Sequence, residues 1–360
     1  MSEHKLHNDS TSTVSRSFYR EGMTDGLPIV PPTDERIEEM LRGTDNPRDY
    51  VLGRLGNDDT PITVEQLASN AVMAGCLPTY MPVLEAGVRA LADPQSNSIQ
   101  FSVSTGGWAY QWVLNGPVLR DLGITHGSGP FGRNARVNRA TARALGIAYR
   151  NTAKIYPGEK DMGVTGNPLK FSLFLAENES GGPWKPYHVT NGFDEEDSTI
   201  TLAGPNSFIQ WKSEPNSPED VLHGMIKNTP PSMVGGEQQG GDFDQTIFHV
   251  LNPKALETLA DANLTKQGVK EYISENSYIP IEEFQKGVLW DNALNDYHGK
   301  VDSRQVPQIS GPEYVKVVAG EYGESQTNVV LGPSIGGPVT KKIQFPSEWD
   351  TLATEYAVEE

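Results

Sequence analysis

The run Leu169–Ala176, reading Leu-Lys-Phe-Ser-Leu-Phe-Leu-Ala, narrows most what this chain can become. It is too short for a membrane helix and apolar enough to be a buried strand. Glu177-Asn178-Glu179 follows it directly. Ligand sites of α/β proteins collect beyond the carboxyl ends of strands. If the strand continues, Glu177 and Glu179 project to the same face, because side chains alternate. Two carboxylates on one face suit acid–base work or a hard metal ion. His188 would add a proton shuttle or a nitrogen ligand. The plain alternative is a solvated acidic loop in an acidic protein.

Around this run, strands and helices alternate, which predicts an α/β class with a mixed sheet flanked by helices and long Gly/Pro-rich loops; a mixed α+β arrangement stays open. Residues 1–20 read as a disordered tail. Thr33 caps a helix over 34–42. Thr63 and Gln66 form a capping box for a helix over 63–75, Pro78 ends that stretch, and a second helix covers 80–92. Residues 99–104 alternate and read as a strand, 108–122 as a helix or turn, and 135–150 as a helix with an arginine row. Further strands are expected at 198–203, 243–251, 314–319 and 328–331. Helices are expected at 218–227, 253–261, 265–275 and 280–288. Residues 289–311 read as loop and 334–360 as irregular. A polar stretch near 205–215 divides a main region, 21–210, from a second α/β region, 211–360, within the same domain or a separate one.

The net charge of −18 would repel nucleic-acid phosphates and an anionic membrane surface alike. Mean hydropathy is −0.47, and no apolar run approaches membrane-helix length. The N-terminus carries no apolar core of signal-peptide length, so a cytoplasmic location is expected. The single cysteine, Cys76, excludes an intrachain disulfide.

Cys76 sits in the predicted elbow between two helices. The positive end of the second helix would lower a thiol pKa there and make a nucleophile. Equally, a lone cysteine packs as a small hydrophobe. The glycine-rich turn His126-Gly127-Ser128-Gly129-Pro130-Phe131-Gly132, leading toward the arginine-bearing helix, would offer N–H groups to an anion. Its spacing matches neither a Walker loop nor a dinucleotide fingerprint. Trp184 and Tyr187, set among prolines, form either a rigid wall for a substrate or core packing. The glycine-rich 235–241 reads as a flexible loop. Cys-x-x-Cys, His-Glu-x-x-His and Gly-x-Ser-x-Gly are all absent.

Several segments together resemble a poorly characterised bacterial family. They are Thr24-Asp25-Gly26-Leu27-Pro28-Ile29-Val30-Pro31-Pro32-Thr33, Asn70-Ala71-Val72-Met73-Ala74-Gly75-Cys76, Asn115-Gly116-Pro117, Glu177-Asn178-Glu179, Pro183-Trp184-Lys185-Pro186 and Asp197-Ser198-Thr199. The resemblance covers about 22–345. In that family such a chain stands beside, or is fused to, a small UGSC domain carrying Sec-Gly-Ser-Cys or Cys-Gly-Ser-Cys. The resemblance implies a thiol- or selenol-dependent enzyme whose reactive chalcogen lies on a partner, since this chain lacks that motif.

The expected function is therefore an enzyme, or the larger subunit of one, acting on a small polar organic substrate by thiol- or selenol-linked redox or lyase chemistry. Cys76, Glu177, Glu179 and His188 would be catalytic, and Asn115, His126 and Trp184 would bind substrate. One alternative is a metal-dependent hydrolase or lyase with Glu177, Glu179 and His188 holding a divalent ion. Another is a non-catalytic scaffold for the small thiol- or selenol-bearing domain. A homo-oligomer is expected in each case.

Overall fold

The computed structural model describes residues 11–124, 131, 136–212, 217–230, 245–280, 282–283, 305–320 and 327–357. The fold is α/β, with mixed sheets that combine parallel and antiparallel pairing. Helices α1 (Thr11–Arg20) and α2 (Asp34–Leu41) precede a hairpin of β1 (Val51–Leu55) and β2 (Thr60–Thr63). Next come α3 (Val64–Ala74), α4 (Met81–Leu91), α5 (Ser98–Val103), β3 (Gln111–Asn115), α6 (Val118–Asp121), α7 (Arg136–Ala153), β4 (Leu173–Ala176) and α8 (Tyr187–Thr190). The chain continues through β5 (Thr199–Ala203), β6 (Phe208–Lys212), α9 (Pro218–Lys227), β7 (Gln245–Leu251), α10 (Pro253–Asp261) and α11 (Lys266–Asn276). A small ribbon of β8 (Tyr278–Pro280) and β9 (Gln305–Pro307) leads to β10 (Val315–Ala319), β11 (Thr327–Ile335), β12 (Val339–Lys342) and α12 (Trp349–Glu355).

Two four-stranded sheets carry the fold, ordered β12-β5-β3-β4 and β10-β7-β11-β6. Side-chain alternation sends Trp112, Leu114, Phe174, Ile200 and Leu202 outward, into one core with α3, α4 and α7. Val113, Leu173, Leu175 and Ala203 point the other way and meet Phe248, Val250, Val318, Val329 and Leu331 of the second sheet. The far face of that second sheet, with Ile247, Val315, Val317 and Val330, is covered by Val221, Leu256 and Ile273 from α9, α10 and α11. The result is four layers: helices, sheet, sheet, helices.

The stretch near 205–215 has a definite role in this layering. β6 pairs with β11 in the second sheet, and β12 pairs with β5 in the first. A bridge between Pro205 and Ser334 holds the bend where both strands change sheets. The polar residues there mark a crossing of the chain between sheets.

Local chemistry explains most boundaries. The Thr63–Gln66 capping box forms, and Gly75 closes α3 at φ 81°, a left-handed position that glycine tolerates. Several expectations fail. The strand expected over 169–176 is only Leu173–Ala176, preceded by a 3-10 turn at Pro168–Lys170 and an exposed Phe171. Thr11–Arg20 is a helix with Val14 buried, not a tail. Residues 98–103 form α5 rather than a strand. Residues 111–115, within the expected helix or turn, form β3, buried at every position. Parts of 334–360 are ordered as β12 and α12. The expected helix over 280–288 lies mostly outside the described residues, and so does the 235–241 loop.

Two arginines of α7 strap the N-terminal segment down, and Arg136 holds the end of α3. Arg143 grips Asp25 with two bonds of 2.7 and 2.9 Å. Arg150 donates to the Gly22 carbonyl, and Arg136 donates twice to the Gly75 carbonyl, at 3.1 and 2.9 Å.

His249, in the middle of β7, is fully buried and both its ring nitrogens lack a hydrogen bond. Burial pushes its pKa from 6.5 down to about 3, so the native imidazole is neutral. The unfolded chain therefore binds a proton that the native one refuses between those two values. Stability contributed by the neutral ring is present above pH 6.5 and is lost as pH falls toward 3. At pH 4.5 the loss from this one group is roughly 2–3 kcal/mol. A His249→Leu protein is thus expected to lose less unfolding free energy than the wild type between pH 7 and pH 4.5. Urea unfolding at the two pH values checks this; equal losses in both proteins would refute it.

Candidate active site

β3 and β4 run parallel, so their carboxyl ends lie side by side. Asn115 closes β3, and Glu177 follows β4, its N–H bonded to Leu114 O at 3.2 Å. On the other flank of β3, Asn115 stands opposite Thr199, the first residue of β5. The short helix α8 brings His188 over this corner. The inter-sheet layer therefore ends in polar groups where its middle is apolar.

Glu177 is 1% exposed and fully engaged. One oxygen accepts from Asn115 Nδ2 at 2.6 Å and from the Tyr187 N–H at 2.7 Å. The other accepts from the Ala319 N–H at 3.1 Å. Ala319 closes β10, so this carboxylate ties the first sheet, α8 and the second sheet into one junction. That is a structural latch, and it leaves Glu177 without oxygens to spare for a substrate.

Glu179 differs. Its side chain is 26% exposed. It accepts from Gly116 N–H at 2.7 Å and from Asn115 Nδ2 at 3.0 Å, and it lies 3.5 Å from His188 Nδ1. Gly116 adopts φ 92°, and a Cβ there would sit 2.2 Å from the Asp197 carbonyl. A glycine is what lets this N–H reach Glu179. The neighbouring Ser198 Oγ accepts from the Val118 N–H at 3.0 Å, binding the Asn115-Gly116-Pro117 turn to Asp197-Ser198-Thr199.

The two carboxylates fix the Asn115 amide with its NH2 toward them. Its Oδ1 then points elsewhere, buried and unpartnered. Thr199 Oγ1 is buried without a partner too, and so are both nitrogens of His188, which is 0% exposed. Buried polar atoms normally find partners. An acceptor, a hydroxyl and an imidazole without partners thus lie close to a partly exposed carboxylate, which makes this corner the candidate site.

Cys76 is not part of this corner. It packs in the core shared by α3, α4 and α7. A 3-10 turn, Pro78–Tyr80, intervenes between Cys76 and α4. Burial pushes the thiol pKa up, against the smaller opposing pull of Arg136 and Arg143. The expected activated nucleophile is instead a sealed packing residue. Folded protein at pH 8 is expected to resist alkylation at Cys76 and to label fully once unfolded. Mass spectrometry after iodoacetamide treatment reads this; rapid labelling of the folded form would contradict it.

The metal reading also fails on geometry. Among the described residues, no group of His, Cys, Asp and Glu side chains is arranged to hold a metal ion. The reason is visible: Glu177 gives its oxygens to N–H donors of the junction. Trp184 packs beside the core of the second sheet and its helices rather than lining the polar corner. His126 lies outside the described residues. Thr199 and the Gly116 N–H are the contributions that residue-type reasoning passed over, although both stand in segments that carry the family resemblance. Among the described residues, no helix is long and apolar enough to cross a membrane. No protein-family model matches the chain, and no curated protein matches it in sequence.

Proposed function

We propose that this chain is an enzyme, or the larger subunit of one, that moves a proton on a small polar organic substrate, and that its chemistry is of the lyase type. The observation that carries this reading is His188, wholly buried, with both nitrogens unbonded and Nδ1 3.5 Å from Glu179. A carboxylate this near one imidazole nitrogen would take a hydrogen bond from it in the substrate complex and leave the other nitrogen for proton transfer. In this scheme His188 Nε2 takes a proton from a substrate carbon. The C–H electron pair becomes the new π bond as the leaving group departs with its own pair, and that group receives the proton from His188. Asn115 Oδ1 and Thr199 Oγ1 orient the substrate through hydrogen bonds.

The expected thiol or selenol chemistry is compatible with this reading only if the chalcogen comes from a partner domain, since Cys76 is sealed. The test is solvent exchange. The protein is incubated in deuterium oxide with a panel of small hydroxy, amino and keto acids, and NMR follows label entering carbon positions or products leaving. Labelling of one panel member that requires His188 and survives Cys76→Ser supports the reading. No labelling of any member, or labelling lost with Cys76→Ser, counts against it.

A further inference from the structure

A second feature lies across α8 from His188. A cavity of about 310 Å³ is lined by Tyr187, Asn191, Lys266, Lys270 and Lys316, with Val315 and Val317 at its floor. That volume is at the small end of the range for small-molecule sites. Its lining is out of character for a chain of net charge −18. Lysines from α11 and from β10 converge on one cavity, and among the described residues no carboxylate forms an ion pair with any of them. Lys266 is anchored by the Lys185 carbonyl at 2.7 Å and Lys316 by the Glu313 carbonyl at 2.6 Å. Each ammonium keeps further N–H donors free for another acceptor. Lys266 opens α11, so the positive end of that helix dipole also borders the cavity.

We propose that this cavity binds the phosphoryl group of a small organic phosphate. Three like charges held together are unfavourable unless an anion joins them. The strain shows on Lys316: burial first, then Lys270, pushes its pKa down to about 8, with Glu313 opposing weakly. Burial lowers that of Lys266 as well, against an opposing pull from Glu177. A bound dianion would reverse both effects. Phosphate is favoured over a carboxylate because three lysines gather more positive charge than a single carboxylate offsets, and lysine binds phosphate as a point charge. Val315 and Val317 leave apolar wall for the carbon portion of the ligand. The cavity shares α8 with the acid–base corner through Tyr187, and its binding test does not depend on that corner being catalytic.

Isothermal titration of the whole chain with glycerol 3-phosphate, inorganic phosphate, glycerol and acetate tests this. The expected result is one saturable site for glycerol 3-phosphate, tighter than about 1 mM, with inorganic phosphate weaker and neither glycerol nor acetate binding. Lys270→Gln and Lys316→Met are each expected to weaken it at least tenfold. Lys270 is only partly buried on its helix, so its replacement leaves the fold intact and keeps the test decisive. Absence of saturable binding in the wild type overturns the proposal. So does binding unchanged in both variants, which would mark adventitious anion association.

Discussion

Replacing Glu177 with glutamine is expected to lower the unfolding free energy by about 3 kcal/mol. The carboxylate accepts from Asn115 Nδ2, Tyr187 N–H and Ala319 N–H, all inside the protein. Glutamine keeps one acceptor oxygen and puts an NH2 where the other was. With the oxygen turned toward Asn115 Nδ2 and Tyr187 N–H, the NH2 faces the Ala319 N–H, and two buried donors are left unsatisfied. Each buried group left unsatisfied costs about 1–3 kcal/mol, which sets the scale. The effect is sharpened by position, because the three donors belong to β3, α8 and β10. Amide hydrogen exchange is therefore expected to rise first around 187–190 and 317–319, before the helices over the outer faces loosen. A wild-type urea midpoint in Glu177→Gln would mean the latch is dispensable and would reopen Glu177 as a substrate-facing group.

The second large effect concerns turnover. Glu179→Gln and His188→Asn are each expected to reduce the rate by about 10²–10⁴, the range for loss of a positioned acid–base group. Neither side chain carries the junction. Glu179 is partly exposed, and His188 makes no hydrogen bond that its loss would break. Thr199→Val, by contrast, should chiefly raise KM, because its hydroxyl would orient the substrate without moving a proton. A stability loss in Glu179→Gln as large as in Glu177→Gln would show that both carboxylates are structural.

The class of the fold was legible because short apolar strands and capped helices alternate along the chain and leave strong local marks. The placement of the two acids was legible too, since Glu177-Asn178-Glu179 follows β4 directly. What sequence could not show is how unequal the two acids are. Alternation aims both at one face, and both indeed reach the Asn115 amide. Only the second sheet, supplying Ala319 N–H from far along the chain, turns Glu177 into a latch. β3 was missed for a related reason. A central strand buried on both faces loses its alternation and looks like any apolar run. Residues 99–104 suggest a strand because six residues of alternating type do not separate strand from helix, and Asn97, with φ 53°, starts a helical turn there. The Cys76 elbow misled because the 3-10 turn and the packing around the sulfur depend on tertiary contacts.

The most direct measurement is deuterium entry from solvent into the acid panel, run side by side for wild type, Cys76→Ser, Glu179→Gln and His188→Asn. The expected result is labelling of the same compound by wild type and Cys76→Ser, with little or none in the other two, all four showing the same folded CD spectrum. Labelling that persists in folded His188→Asn, or that vanishes with Cys76→Ser, would contradict the assignment of the chemistry to the Glu179–His188 corner.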